Sequence, residues 1–119
     1  MKLINVSNHS SKNWTKKQIE KWENVEDISF PNVPANATTE EILSSIMPDV
    51  VGKIGSYEYD GYTHIMLQGE FTLCYMIKDF LRKEGSKLIF VVPASERNVI
   101  EKDGIKTSRF EFFQWRVLN

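Results

Sequence analysis

Asn8, His9 and Ser10 stand together in the polar run Ser7 to Ser11, directly after the apolar stretch Lys2 to Val6. A histidine between an amide and a hydroxyl can donate to a phosphate or move a proton near neutral pH. The same histidine could instead be a surface loop group that packs on Trp14. A second run, Gly69-Glu70-Phe71-Thr72, closes another apolar stretch. Glycine there lets a ligand approach the backbone, and Thr72 could cap a helix or bind phosphate; the plainer reading is a strand-to-helix turn with Glu70 on the helix dipole. Asn32, Ser95 and Arg97 complete the set, each just after an apolar strand-like segment. A guanidinium binds phosphate through two parallel bonds, so Arg97, and Arg109 across a hairpin from it, are candidate anion ligands. A solvated hairpin charge is the alternative, more so for Arg109.

Other chemistries find little support. The two histidines, His9 and His64, are 55 positions apart and no Cys, His and carboxylate cluster has metal-ligand spacing, so neither a metal nor any other cofactor is expected. Ser10, His9 and Glu70 could form a hydrolase triad, but the Gly-x-Ser-x-Gly elbow is missing. Both the P-loop and the dinucleotide-binding fingerprints are absent. His64 lies inside a strand pattern and reads as a satisfied core group. Cys74 is the one cysteine and sits in an apolar helical run, which makes it a buried inert thiol unable to form an internal disulfide.

These residues need a frame. Lys2 to Val6 reads as a first strand. Thr15 and Gln18 make a capping box for a helix to about Glu23, and Val25, Ile28 and Phe30 form a second strand stopped by Pro31-Asn32. Thr38 with Glu41 repeats the box before Ile42, Ile46, Val50, Val51 and Ile54 at helical spacing, with Pro48 expected to kink or split that helix. Gly55 to Gly61 reads as a loop. Tyr62 to Gln68 is a candidate central strand, Phe71 to Gly85 a buried helix, and Lys87 to Val92 a fourth strand covered on both faces. Beyond Pro93, the dipeptide Asp103-Gly104 and the alternating Phe110, Phe112 and Trp115 predict an antiparallel hairpin on one sheet edge. The aromatic stripe is read first as hairpin packing or a dimer face, and second as a base-stacking platform. The fold class is therefore α/β: one three-layer, Rossmann-like domain over residues 1–119, with a mostly parallel sheet and a C-terminal antiparallel β-hairpin. In such sheets ligands bind outside the carboxyl ends of the strands, where all the candidate residues fall.

Composition sets the outer bounds. At 119 residues, 41% hydrophobic and 26% charged, the chain can bury a single core. A net charge of −1 argues against a general nucleic-acid coat, and double-stranded DNA is not an expected partner, although a small basic pocket is compatible with it. No stretch approaches a membrane span and the first residues are too few for a signal peptide, so a cytoplasmic protein without a membrane partner is expected.

The opening LINVSNHSSKNWTKKQ resembles the start of the small CRISPR-associated ring nucleases, with a short strand, an Asn/Ser-His pair and Thr-x-x-Gln opening a helix. The segment LQGEFTLCYMIKDFLRKEG, followed by an apolar strand and Ser-Glu-Arg, is similar to the middle of CRISPR-associated Rossmann-fold domains. Together the motifs cover about a third of the chain. The resemblance implies a homodimer that binds cyclic oligoadenylate, the messenger of type III CRISPR defence, across its two-fold axis and in some families linearises it, without a metal, by attack of a ribose 2′-hydroxyl on the neighbouring phosphate. Carried onto this sequence, Asn8, His9 and Ser10 would sit at a phosphate, with Gly69, Glu70 and Thr72 lining base or ribose. The long aromatic hairpin departs from the pattern and bears on the dimer geometry. Two other classes stay open: a non-catalytic nucleotide sensor, and a protein-interaction module that uses the hairpin.

Overall fold

The computed structural model describes residues 1–118. Five strands form one sheet: β1 (Lys2–Ser7), β2 (Asn24–Ser29), β3 (His64–Leu67), β4 (Ile89–Lys102) and β5 (Ile105–Leu118). They lie in the order β2-β1-β3-β4-β5, parallel except for the antiparallel β4–β5 hairpin. The chain is thus a mixed α/β protein with a mostly parallel sheet, as its sequence pattern predicts. Among the described residues no helix is long and apolar enough to cross a membrane.

The order places β1 and β3 side by side inside the sheet, and from this interior pair successive connections leave in opposite directions. The step from β1 to β2 runs one way; those from β2 to β3 and from β3 to β4 run the other. The two faces of the sheet carry separate core clusters. Ile4, Val6, Ile65 and Phe90 meet α3 (Met47–Tyr59) and α4 (Phe71–Lys83) through Val50, Ile54, Leu73 and Ile77. On the opposite face Leu3, Met66 and Val91 pack with Trp22, Phe112 and Trp115. Alternate residues of β1 divide between the two clusters, which is why five of its six residues are buried.

Three local expectations change. The first helix, expected to reach Glu23, is a single turn, α1 (Lys16–Ile19), preceded by a 3₁₀ turn at Ser11–Asn13. Its capping box is present: Thr15 Oγ1 accepts from Gln18 N, and Gln18 Oε1 accepts from Thr15 N at 3.0 Å. One turn is too short to persist alone. Trp115 Nε1 holds it by donating to the Gln18 carbonyl at 3.0 Å, and Trp22 leaves the helical path to pack on His64 and Trp115.

The stretch expected as a loop from Gly55 is helical as far as Tyr59. Two helical glycines, Gly52 and Gly55, each cost about 1 kcal/mol relative to alanine. Burial of Met47, Val50 and Ile54 on the core side offsets them, and the chain turns only at Gly61, with φ +96°. Pro48 splits the helical stretch as expected: α2 (Thr39–Glu41) passes into a π-helical segment over Ile42–Ile46, and α3 starts afresh with Pro48 in its first turn, where a missing N–H costs little.

The third change lies at Pro93. The fourth strand does not stop there but continues into the hairpin as one 14-residue strand, because pairing passes from β3, which reaches only to Phe90, to β5, which accompanies β4 throughout. Beyond Val91 one edge of β4 has no partner strand among the described residues, so proline is tolerated. A bulge at Ala94/Ser95 lets both Phe112 and Trp115 face the same core. Asp103 and Gly104 have φ of 54° and 76°, the two positive values of a tight hairpin turn. The hairpin projects: the radius of gyration is 16.2 Å, against about 13–14 Å for a compact domain of this length.

Candidate functional site

At the reversal between β1 and β3 a cleft of about 600 Å³ opens beside the root of the hairpin. Its polar side comes from Asn8, His9, Ser10 and Asn13 after β1, Gln68 after β3 and Ser95 from β4. Trp14, Phe110 and Trp115 supply an aromatic side. Trp115 is the hub of that wall, 5.5 Å from Trp14 and 5.5 Å from Phe112 between ring centroids, and its indole N–H is spent on Gln18, so its orientation is fixed. Phe110 is 74% exposed and offers an open ring face.

The loop after β1 is held from beneath. Asn5, buried in β1, donates through Nδ2 to Asp27 Oδ1 and to the His9 carbonyl, both at 2.9 Å. Ser7 Oγ donates to Asn5 Oδ1 at 2.7 Å and accepts from His9 N at 3.1 Å. Asp27, on the neighbouring β2, accepts from the Ser10 hydroxyl at 3.2 Å and from both N and Oγ of Ser11. Burial pushes the Asp27 carboxyl upward, but the bonds from Asn5, Ser11 and Ser10 outweigh it and hold it below its usual range. His9 is gripped through its backbone, which leaves its imidazole for the cleft. Ser10 Oγ also caps the 3₁₀ turn by accepting from Lys12 N. Hydroxyl and loop are therefore fixed by one carboxylate.

The sequence-predicted residues divide. Asn8, His9, Ser10 and Ser95 line this cleft; Asn32, Gly69, Glu70, Thr72 and Arg97 do not. Asn32 is exposed in the loop after β2, at the outer strand. Gly69 has a packing role, since a Cβ there would fall 2.5 Å from the Phe30 ring. Glu70 caps α4, accepting from Leu73 N at 2.8 Å and Thr72 N at 3.1 Å, and those bonds hold its carboxyl low. Thr72 lies in the first turn of that helix. Arg97 donates from Nε and Nη2 to Ser108 Oγ across the hairpin, at 3.2 and 2.9 Å. Arg109 lines an adjoining groove of about 410 Å³ with Lys17, Asn98 and Glu111, and Phe110 belongs to both depressions.

Sequence reasoning missed Asn13, Trp14, Gln18 and Gln68 as lining groups. Gln68 had a readable signal, being the last residue of the β3 pattern beside Gly69. Trp14 and Asn13 had none, because a polar loop does not reveal that it folds back over its own sheet. Elsewhere, His64 is buried, with Nδ1 2.7 Å from Thr63 Oγ1, and burial pulls its pKa below the usual value. Cys74 is partly buried against the core, and burial raises its thiol pKa. Among the described residues no three His, Cys, Asp or Glu side chains converge as metal ligands.

Fold and site together define a mixed α/β domain with a polar and aromatic cleft at the carboxyl ends of its central strands. The chain belongs to the uncharacterized protein MJ1673 family, whose model matches residues 1–116. No curated protein and no solved structure matches the chain.

Proposed function

We propose that the chain is a cytoplasmic, three-layer Rossmann-like nucleotide-binding domain, and that its ligand is the cyclic oligoadenylate of type III CRISPR signalling. The observation that carries the reading is the cleft at the β1/β3 reversal, where neutral hydrogen-bond donors face an aromatic wall. Strand-order reversal is where open parallel sheets bind ligands. The volume suits a nucleotide, and a base can stack on Trp14 or Phe110 while Asn8, Asn13 and Gln68 reach phosphate and ribose.

His9 is the one ionisable side chain among the described residues that line the cleft. Catalysis in this reading is attack by the substrate's own 2′-oxygen on the adjacent phosphorus. The O2′–P bond forms, the P–O5′ bond breaks, and the ring opens to a 2′,3′-cyclic phosphate and a 5′-hydroxyl. His9 either accepts the 2′-proton or donates to the leaving 5′-oxygen, and the loop amides stabilise the charged phosphorane. Such chemistry asks mainly for positioning, which the Asp27-held loop supplies.

A second reading is a sensor that binds without turnover. It is favoured by Ser10, whose hydroxyl is held by Asp27, which leaves His9 alone to serve both the 2′-proton and the leaving 5′-oxygen. Titration of intrinsic tryptophan fluorescence with cyclic tetra-adenylate, cyclic hexa-adenylate, linear oligoadenylate and AMP tests the shared claim. Both readings expect saturable quenching by a cyclic ligand that weakens in Trp14→Ala. A flat titration with every nucleotide removes both.

A further inference from the structure

The exposed edge of β5 carries an unusual load. β5 is the terminal strand of the sheet, 14 residues long, and along Ile105 to Phe113 no backbone group bonds to anything outside the hairpin ladder among the described residues. Ile105, Phe110 and Phe113 are 68, 74 and 53% exposed on it. A long unpaired edge that exposes apolar side chains between its charges is a template for another strand, and stable proteins blunt or occupy such edges.

Its charges also lack an opposite charge within the monomer. Arg109 and Glu111 lie two apart on one face of β5, and neither belongs to an ion pair among the described residues. Within the hairpin Glu111 stands directly opposite Glu96, a like-charge pair, and Arg109 stands opposite the neutral Asn98. The monomer thus holds Glu111 opposite a like charge, with a neutral donor, Asn98 Nδ2, reaching its Oε2 at 3.4 Å across the hairpin.

We infer that this edge pairs antiparallel with the same edge of a second copy of the chain, about a two-fold axis at Phe110, joining two sheets into one of ten strands. Directly opposed residues must share a face, so an axis normal to the sheet passes through a residue position. An axis at Arg109 or Glu111 would oppose like charges. One at Ser108 sets Arg109 against Thr107 and Glu111 against Ile105, and forms no ion pair. At Phe110, Arg109 meets Glu111 of the partner subunit, the reciprocal pair forms by symmetry, and Phe110 meets Phe110 of the partner subunit. Pairing covers residues 107 to 113 before α1 intervenes, where Lys17 Nζ sits 5.3 Å from the centroid of Phe113. Because Phe110 also lines the cleft, the two clefts come to lie next to each other on one face of the joined sheet.

The test needs no nucleotide and so stands apart from the functional reading. Sedimentation velocity across a concentration series should show wild type as a dimer of the 13.8 kDa chain at micromolar concentration. Arg109→Glu alone, or Glu111→Arg alone, replaces both ion pairs by like-charge pairs and should weaken dimerisation about tenfold or more. The double variant R109E/E111R restores opposite charges and should recover the dimer. Both positions are exposed, and unchanged circular dichroism will confirm folding. A monomeric wild type overturns the interface, as does a dimer indifferent to the single reversals or one that the double exchange fails to restore.

Discussion

Asn5 donates to Asp27 at 2.9 Å, a side-chain bond between the interior strand β1 and the outer strand β2, placed directly beneath the cleft loop. Asn5 is 1% exposed, and its amide nitrogen serves Asp27 and the His9 carbonyl while its oxygen serves Ser7. Removing one member of such a network leaves the others unsatisfied. Asn5→Ala should therefore cost about 1–3 kcal/mol in urea unfolding. It should also weaken cleft binding, since the backbone of His9 loses its anchor. Unchanged stability would show that the loop is held some other way.

Gly69 looks like a site residue in the sequence and acts as a packing residue in the fold. A Cβ at this position meets the Phe30 ring at 2.5 Å, so Gly69→Ala forces the ring or strand end to move and should destabilise by about 1–3 kcal/mol. Phe30→Leu combined with Gly69→Ala should cost less than the sum of the two single changes. Strict additivity in thermal unfolding would contradict the contact.

Stability should fall with acid over two pH windows. Burial lowers the His64 pKa from its usual 6.5, so the folded state favours neutral imidazole. That contribution is complete above the unfolded value and is lost as pH falls from about 6.5 through the folded value. Asp27 is lowered from 3.8, so its contribution persists to lower pH and disappears as pH falls below about 3.8. His64→Leu should abolish the first stage of the stability profile and leave the second. An unaltered profile in that variant would assign the first stage to another group.

Trp14 and Trp115 differ in exposure within one aromatic wall. Trp115 is buried and bonded to Gln18, whereas Trp14 is only partly buried. Trp14→Ala should weaken nucleotide binding by roughly 1–3 kcal/mol, the usual worth of one stacked base, beside a loss of stability from its packing on Trp115. Calorimetric titration with equal affinity in wild type and variant would move the base elsewhere.

The strands and their mostly parallel arrangement are legible because apolar runs such as Lys2 to Val6 and Lys87 to Val92 mark strands buried on both faces, and the Asp103-Gly104 turn marks the hairpin. The helix through Gly55 is not, because Ile54 and Val50 stabilise it by tertiary burial that outweighs glycine's local preference. In the site, Asn8, His9, Ser10 and Ser95 were found by position at strand ends. Asp27 was missed, since a carboxylate on an outer strand gives no local sign that it will anchor a loop sixteen residues away. Arg97 falls at the site only if β4 ends at Pro93. The strand continues, and its guanidinium meets Ser108 instead.

The most direct test of the central claim incubates purified protein with radiolabelled cyclic tetra- and hexa-adenylate in the presence of EDTA and resolves the products, in wild type and in His9→Ala. The account predicts linear products ending in 2′,3′-cyclic phosphate from at least one ring, formed despite the chelator. In His9→Ala cleavage should slow by about 10²–10³-fold, while binding falls much less because the loop donors remain. Intact rings that bind the protein would leave a sensor in place of the enzyme, and intact rings that do not bind would contradict the nucleotide reading itself.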